Sequence, residues 1–149
     1  KALGAEVIDF PLKTHCCGGH MTHIGPKTAY ELIWRLVSAA DQYKADLMVT
    51  LCPMCQLNID AYQGEMNRHK QSSYHMPILF FTQLIGLAFG RDPKTLGIGR
   101  EMVDARAALD RIGIELPPPE DTPEARAAKR AKKEGLPMPR MSGEQEAHE

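Results

Sequence analysis

The chain has 149 residues, of which 43% are hydrophobic and 25% charged, and a formal net charge of −1. That length suits one domain with a modest core, and the near-neutral charge gives no electrostatic case for nucleic acid as a partner. The longest apolar stretch, around Ile78–Phe89, is broken by Thr82, Gln83 and Gly86, so no transmembrane segment is expected, and the basic-then-apolar order of a signal peptide is missing.

Lys1–Leu3 followed by Gly4 reads as the last turn of a helix and its terminal glycine. With no initiating Met, the sequence reads as starting inside a larger polypeptide. Val7–Leu12 is a short apolar run bounded by Gly4 and the cysteines, which predicts a strand, with Pro11 marking its end or an edge position. Gly25 and Pro26 then open a helix, where the missing proline donor does no harm. Tyr30, Ile33, Trp34, Val37 and Ala40 give that helix one apolar face. Leu47–Leu51 is a second apolar strand. Pro53 starts a second helix with Cys55, Ile59, Tyr62 and Met66 on one face. Ile78–Phe81 predicts a third strand, Thr82–Phe89 a short helix ended by Gly90, and Arg100–Ile112 a last helix stopped by Gly113.

Apolar strands alternating with amphipathic helices imply an α/β fold of three layers: a mostly parallel sheet, here of three strands, with helices on both faces. The domain is expected to cover 1–116. Beyond Leu116 prolines and mixed charges replace the large apolar residues, which predicts a tail over 117–149, disordered or bound to a partner. Its basic run, Lys129, Arg130, Lys132 and Lys133, is flanked by acids and reads as a solvated face.

The four cysteines fall in two close pairs, Cys16 with Cys17 and Cys52 with Cys55. A secreted disulfide framework spreads its cysteines over a smaller domain, so a reducing cytoplasm and a metal or redox role are expected. Each pair follows a predicted strand and precedes a predicted helix. If those strands are parallel neighbours, a right-handed crossover brings both pairs to the rim at the strands' carboxyl ends, where ligands bind in open sheets. Cys52-Pro53-Met54-Cys55 sets two thiols one turn apart at a helix N-terminus, whose dipole and free amides favour thiolate. Alone, this pattern fits thioredoxin-like redox chemistry, zinc or an iron–sulfur centre, though thioredoxin-like chemistry asks for no second pair. Adjacent side chains in extended backbone point to opposite sides and chelate one small ion poorly, whereas a cluster of several irons can take diverging thiolates. Gly18 and Gly19 let the backbone turn tightly against such a core. Zinc, and buried reduced thiols or a vicinal disulfide, stay open as alternatives.

Other groups surround the pairs. His20 and His23 lie three apart and, with Cys16 and Cys17, could complete a Cys/His zinc site; otherwise they and His15 are loop residues or proton donors near the site. Lys13 could balance thiolate charge. Gln56 and Asn58 could donate hydrogen bonds to bound sulfur or simply lie on the helix surface. His69, His75 and His148 are expected at surface or tail positions, and Met48, Met54, Met66 and Met76 as core filler. Leu96-Gly97-Ile98-Gly99-Arg100-Glu101 lacks the strand-to-helix context of a nucleotide fingerprint.

Cys-Cys-Gly, then Cys-Pro-Met-Cys with a following Asn, together with the segment Pro77–Leu84, resembles the cysteine-rich CCG domain of the B-type subunits of heterodisulfide reductases. The resemblance covers about residues 1–113. It implies a Rossmann-like domain of which this chain is the C-terminal portion, because the family carries one more cysteine upstream of the pair and no residue before Cys16 is a cysteine. It implies that Cys16, Cys17, Cys52 and Cys55 hold a 4Fe-4S cluster of the non-cubane type. Iron–sulfur and flavin partner subunits would feed electrons to it for the reductive cleavage of a disulfide substrate. Related CCG domains serve other oxidoreductases, so an electron-transfer subunit of another such enzyme is a second expectation, and a structural zinc or docking module a third.

Overall fold

The computed structural model describes residues 4–116. The expected tail, its boundary at 116/117 and the first helical turn therefore lie outside the described residues. Helix α1, Pro26–Gln42, is capped by Gly25 with Pro26 in its first turn. Ala29, Ile33, Leu36, Val37 and Ala40 on its inner face are all buried, the helical repeat that the sequence encodes. Lys44, at φ 62°, turns the chain out of it.

Strand β1, Met48–Thr50, leads into helix α2, Pro53–Ala61, and helix α3, Gln63–Lys70. Strand β2, Ile78–Phe80, runs directly into helix α4, Phe81–Ala88. β1 and β2 pair in parallel, Met48 opposite Ile78 and Thr50 opposite Phe80. Adjacent β2 residues face opposite sides of the sheet. Ile78 joins Ile33, Val37, Ile59, Met66 and Cys17 in one core. Leu79 joins Leu87, Ile98, Ala105 and Leu109 in the other. Helices thus cover both faces of a small parallel sheet, the α/β class expected from the alternation of elements.

Three local expectations are corrected. Val7–Leu12 forms no strand; among the described residues the sheet has two strands. The chain turns at Pro11, with the Lys13 and His15 amides donating to the carbonyls of Phe10 (3.2 Å) and Leu12 (2.9 Å). Val7 is exposed, so an apolar run without alternation had nothing to fix it in a ladder. The second predicted helix is broken at Tyr62. Beyond the break, the buried Gln63 side chain donates to Met76 O (2.7 Å) and accepts from Met76 N (2.9 Å). Asn67 holds Tyr74 in the same two-way manner. The last helix, α5, spans only Arg106–Asp110. Its predicted first turn is lost because the Asp60 carboxylate takes the amides of Met102 (2.8 Å) and Val103 (2.9 Å), and Glu101 takes that of Gly99 (2.7 Å). Such side-chain acceptors compete with helical hydrogen bonds. Among the described residues no helix is long and apolar enough to cross a membrane.

Candidate metal centre

Cys52 is the N-cap of α2, immediately beyond the carboxyl end of β1, in extended backbone at φ −104° and ψ 123°. The nearby backbone amides of Cys55 and Met54 lower its pKa, the effect of a helix N-terminus on a thiol. One turn on, Cys55 is half-buried. Burial pushes its thiol up to about 12, and the neighbouring thiols of Cys17 and Cys52 add to the rise. The two thiols that act on Cys55 come from the start of its own helix and from the loop ahead of α1.

That loop separates its two cysteines. Cys17 is buried in the first core. Cys16 is exposed, accepts the Gly18 amide at 3.4 Å, and lines a shallow hollow with Leu12, His15, Leu32, Arg35 and Leu36. Adjacent side chains thus diverge, Cys17 toward α2 and Cys16 toward α1. Gly18 turns the chain at φ 76°, and a Cβ there would lie 2.7 Å from Leu32 Cδ1 and 3.3 Å from Ala29 Cα. Both the dihedral and the approach to α1 exclude a side chain. At Gly19 a Cβ would stand in ordinary contact, 3.7 Å from both Cys17 Sγ and Met54 Cε, so the turn lies over that sulfur and the first turn of α2. The next residues form a short 3₁₀ turn, Gly19–Met21.

The loop is held to α2 by a carboxamide. Buried Asn58 donates to Cys17 O at 2.9 Å and accepts from the hydroxyl of buried Thr22 at 2.5 Å. Asn58 therefore grips backbone, not sulfur. Gln56 likewise donates to Gln83 Oε1 (3.2 Å). Gln83 also accepts the Phe80 amide (2.7 Å) and donates to Leu96 O (3.2 Å), tying α2, β2, α4 and the 92–101 loop together. Lys13 pairs with exposed Asp9. His15, His20 and His23 are all exposed, and His15 shares the hollow with Cys16. Met66 and Met76 are core residues, but Met54 is exposed beside the Gly19 turn. Thr22 and Gln83 escaped sequence reasoning, since an isolated Thr or Gln carries no periodic or spacing signal.

Among the described residues no three His, Cys, Asp or Glu side chains gather closely enough to hold one metal ion. Neither the four cysteines nor His20 and His23 with Cys16 and Cys17 form such a group among the described residues. The donor set at this turn is one of soft thiols, with Cys17 Sγ facing Gly19 and the first turn of α2. That chemistry fits an iron–sulfur group. Thr50, two residues before Cys52, keeps a buried hydroxyl with no partner among the described residues.

Residues 1–60 match the cysteine-rich domain family, CCG. The 8-methylmenaquinol:fumarate reductase membrane anchor subunit of Wolinella succinogenes is 35% identical over 105 residues, covering 70% of this chain and 37% of that protein. The B-type subunit of the ferredoxin:CoB-CoM heterodisulfide reductase of Methanosarcina mazei is 31% identical over 114 residues, 75% of this chain and 38% of that protein. An Archaeoglobus profundus protein named for its likeness to the same heterodisulfide reductase subunit is 31% identical over 101 residues, 66% of this chain and 34% of that protein. The chain thus spans well under half the length of these curated relatives.

Proposed function

Since the chain carries the cysteine-rich CCG domain and is homologous to the B-type subunit of heterodisulfide reductase, we propose that it is part of an iron–sulfur subunit of a heterodisulfide-reductase-like complex. Cys16, Cys17, Cys52 and Cys55 are its cluster ligands, and the cluster is a 4Fe-4S group of the non-cubane type. The observation that carries this function is the hold of Asn58, on the helix that bears Cys52 and Cys55, on the loop that bears Cys17, beside a Gly18 turn that only glycine can make. When bound, such a group supplies one-electron transfer and a metal that can take up sulfur.

The chain's own residues prepare the site. The α2 amides hold Cys52 toward thiolate, the form that ligates. The apolar surroundings of Cys17 keep water from its sulfur. The Gly18 and Gly19 turn brings backbone close without a side chain in the way. The outward thiol of Cys16 offers a donor on a second side of the loop. The proposed reaction adds two electrons and two protons to a disulfide and releases two thiols. Partner subunits bearing flavin and iron–sulfur groups deliver the electrons, in the cytoplasm.

The identity of 35% to a fumarate reductase anchor subunit favours one second reading, an electron-transfer subunit of another oxidoreductase with the same ligands and no disulfide substrate. In the complete protein, prepared without oxygen, Cys17→Ala and Cys55→Ala are expected to abolish or reshape the cluster's paramagnetic resonance signal and disulfide reduction together. His20→Ala and His23→Ala are expected to leave metal content intact. Loss of the signal from a parent protein that never reduced disulfides supports the electron-transfer reading. Cysteine variants with a full signal, beside histidine variants that lose metal, overturn both.

A further inference from the structure

We infer that Asn58 is the positioning residue that sets the approach of Cys17 to Cys55, with Thr22 as its second anchor. The inference rests on the reading of these thiols as one set. Asn58 lies one helical turn after Cys55 on α2, so its carboxamide and that thiol share a helix face and move together. The amide nitrogen holds the carbonyl of Cys17, and the amide oxygen takes the hydroxyl of Thr22. These two residues bracket the Gly18–Met21 turn, so one side chain pins both ends of the loop that carries Cys17. Gly18 locks the same turn against α1 through its approach to Leu32 and Ala29. With the loop fixed to α1 by a glycine and to α2 by a carboxamide, the spacing of Cys17 and Cys55 follows from the Asn58 geometry. Asn58 is 3% exposed and Thr22 7%; neither reaches solvent, and each amide group has its partner within the loop.

A cross-link measures that spacing directly. In the full 149-residue chain, metal-free, Cys16→Ser and Cys52→Ser leave Cys17 and Cys55 as the only thiols. Diamide then oxidises them to a disulfide, taking up the two electrons and two protons that the thiols lose and becoming a hydrazine. Asn58→Asp removes the donor to Cys17 O and sets an acid against that carbonyl. Thr22→Val removes the other bond at nearly constant shape. Each is expected to slow cross-linking about tenfold, the rate equivalent of one buried hydrogen bond. Thr22→Ser, which keeps the hydroxyl, restores the parental rate, and Ile98→Val, a change of similar cost in the second core, leaves it unaltered. If Asn58→Asp does not fold, Thr22→Val against Thr22→Ser decides. Folded Thr22→Val that cross-links at the parental rate, or Ile98→Val that slows it equally, overturns the role of Asn58. Failure of the parent chain to take up iron counts against the proposed function alone, because cross-linking needs no metal.

Discussion

At the residue scale, the two thiols of the Cys52–Cys55 turn stand in opposed environments. Cys52 is exposed and receives the first amides of α2, so its pKa falls below 9.0; Cys55 is desolvated and flanked by sulfurs, so its pKa rises to about 12. Alkylation rate follows the thiolate fraction. In the metal-free chain, iodoacetamide labelling of Cys52, read by peptide mass spectrometry, should therefore rise at a lower pH than labelling of Cys55, which should still climb as the pH approaches 12. Equal profiles for the two would contradict the assigned environments. The same division explains the pair ahead of α1: one backbone turn sends Cys16 to the surface and Cys17 into the core. The cysteines were legible in the sequence because their spacing is itself the signal. The function of Asn58 was not, because a hydrogen bond to a carbonyl 41 positions away leaves no local pattern.

At the scale of elements, the helices and the paired strands announce themselves by periodicity, and tight packing by glycine. Gly86 in α4 is such a case: a Cβ there would lie 2.4 Å from Leu96 Cδ2. Gly86→Ala should destabilise the chain by about 1–3 kcal/mol through overpacking, seen as a lower denaturant midpoint. Leu96→Ala in the same chain should recover part of that loss, since it vacates the space; simple additivity of the two would show that they do not meet. Where sequence reasoning failed, long-range side-chain hydrogen bonds decided the outcome. Helix periodicity runs through Tyr62, yet Gln63 is committed to both backbone groups of Met76, and a single helix gives way to two. Arg100–Ile112 has helical composition, yet Asp60, from α2, takes the amides its first turn needs. Val7–Leu12 has strand composition, but a strand is defined by a partner, and among the described residues the segment finds none. Charge and apolar spacing are local quantities, and these three outcomes depend on residues far away in the chain.

At the scale of the molecule, the two cores lie on opposite faces of a two-stranded sheet; Cys52 and Cys55 stand where β1 gives way to α2, and the glycine turn ahead of α1 lays Cys17 against that helix. The sheet supplies the rigid edge, α2 supplies the amides and two of the sulfurs, and the loop supplies the rest. The central claim is that these thiols together hold an iron–sulfur cluster. The most direct test is the metal and inorganic sulfide content of the chain, reconstituted with iron and sulfide and purified without oxygen, beside Cys17→Ala and Cys55→Ala. The account predicts a brown protein with iron and acid-labile sulfide in equal amounts, and loss of both in either variant. A colourless protein that takes up zinc in preference to iron, and keeps it when Cys17 or Cys55 is replaced, would contradict the account.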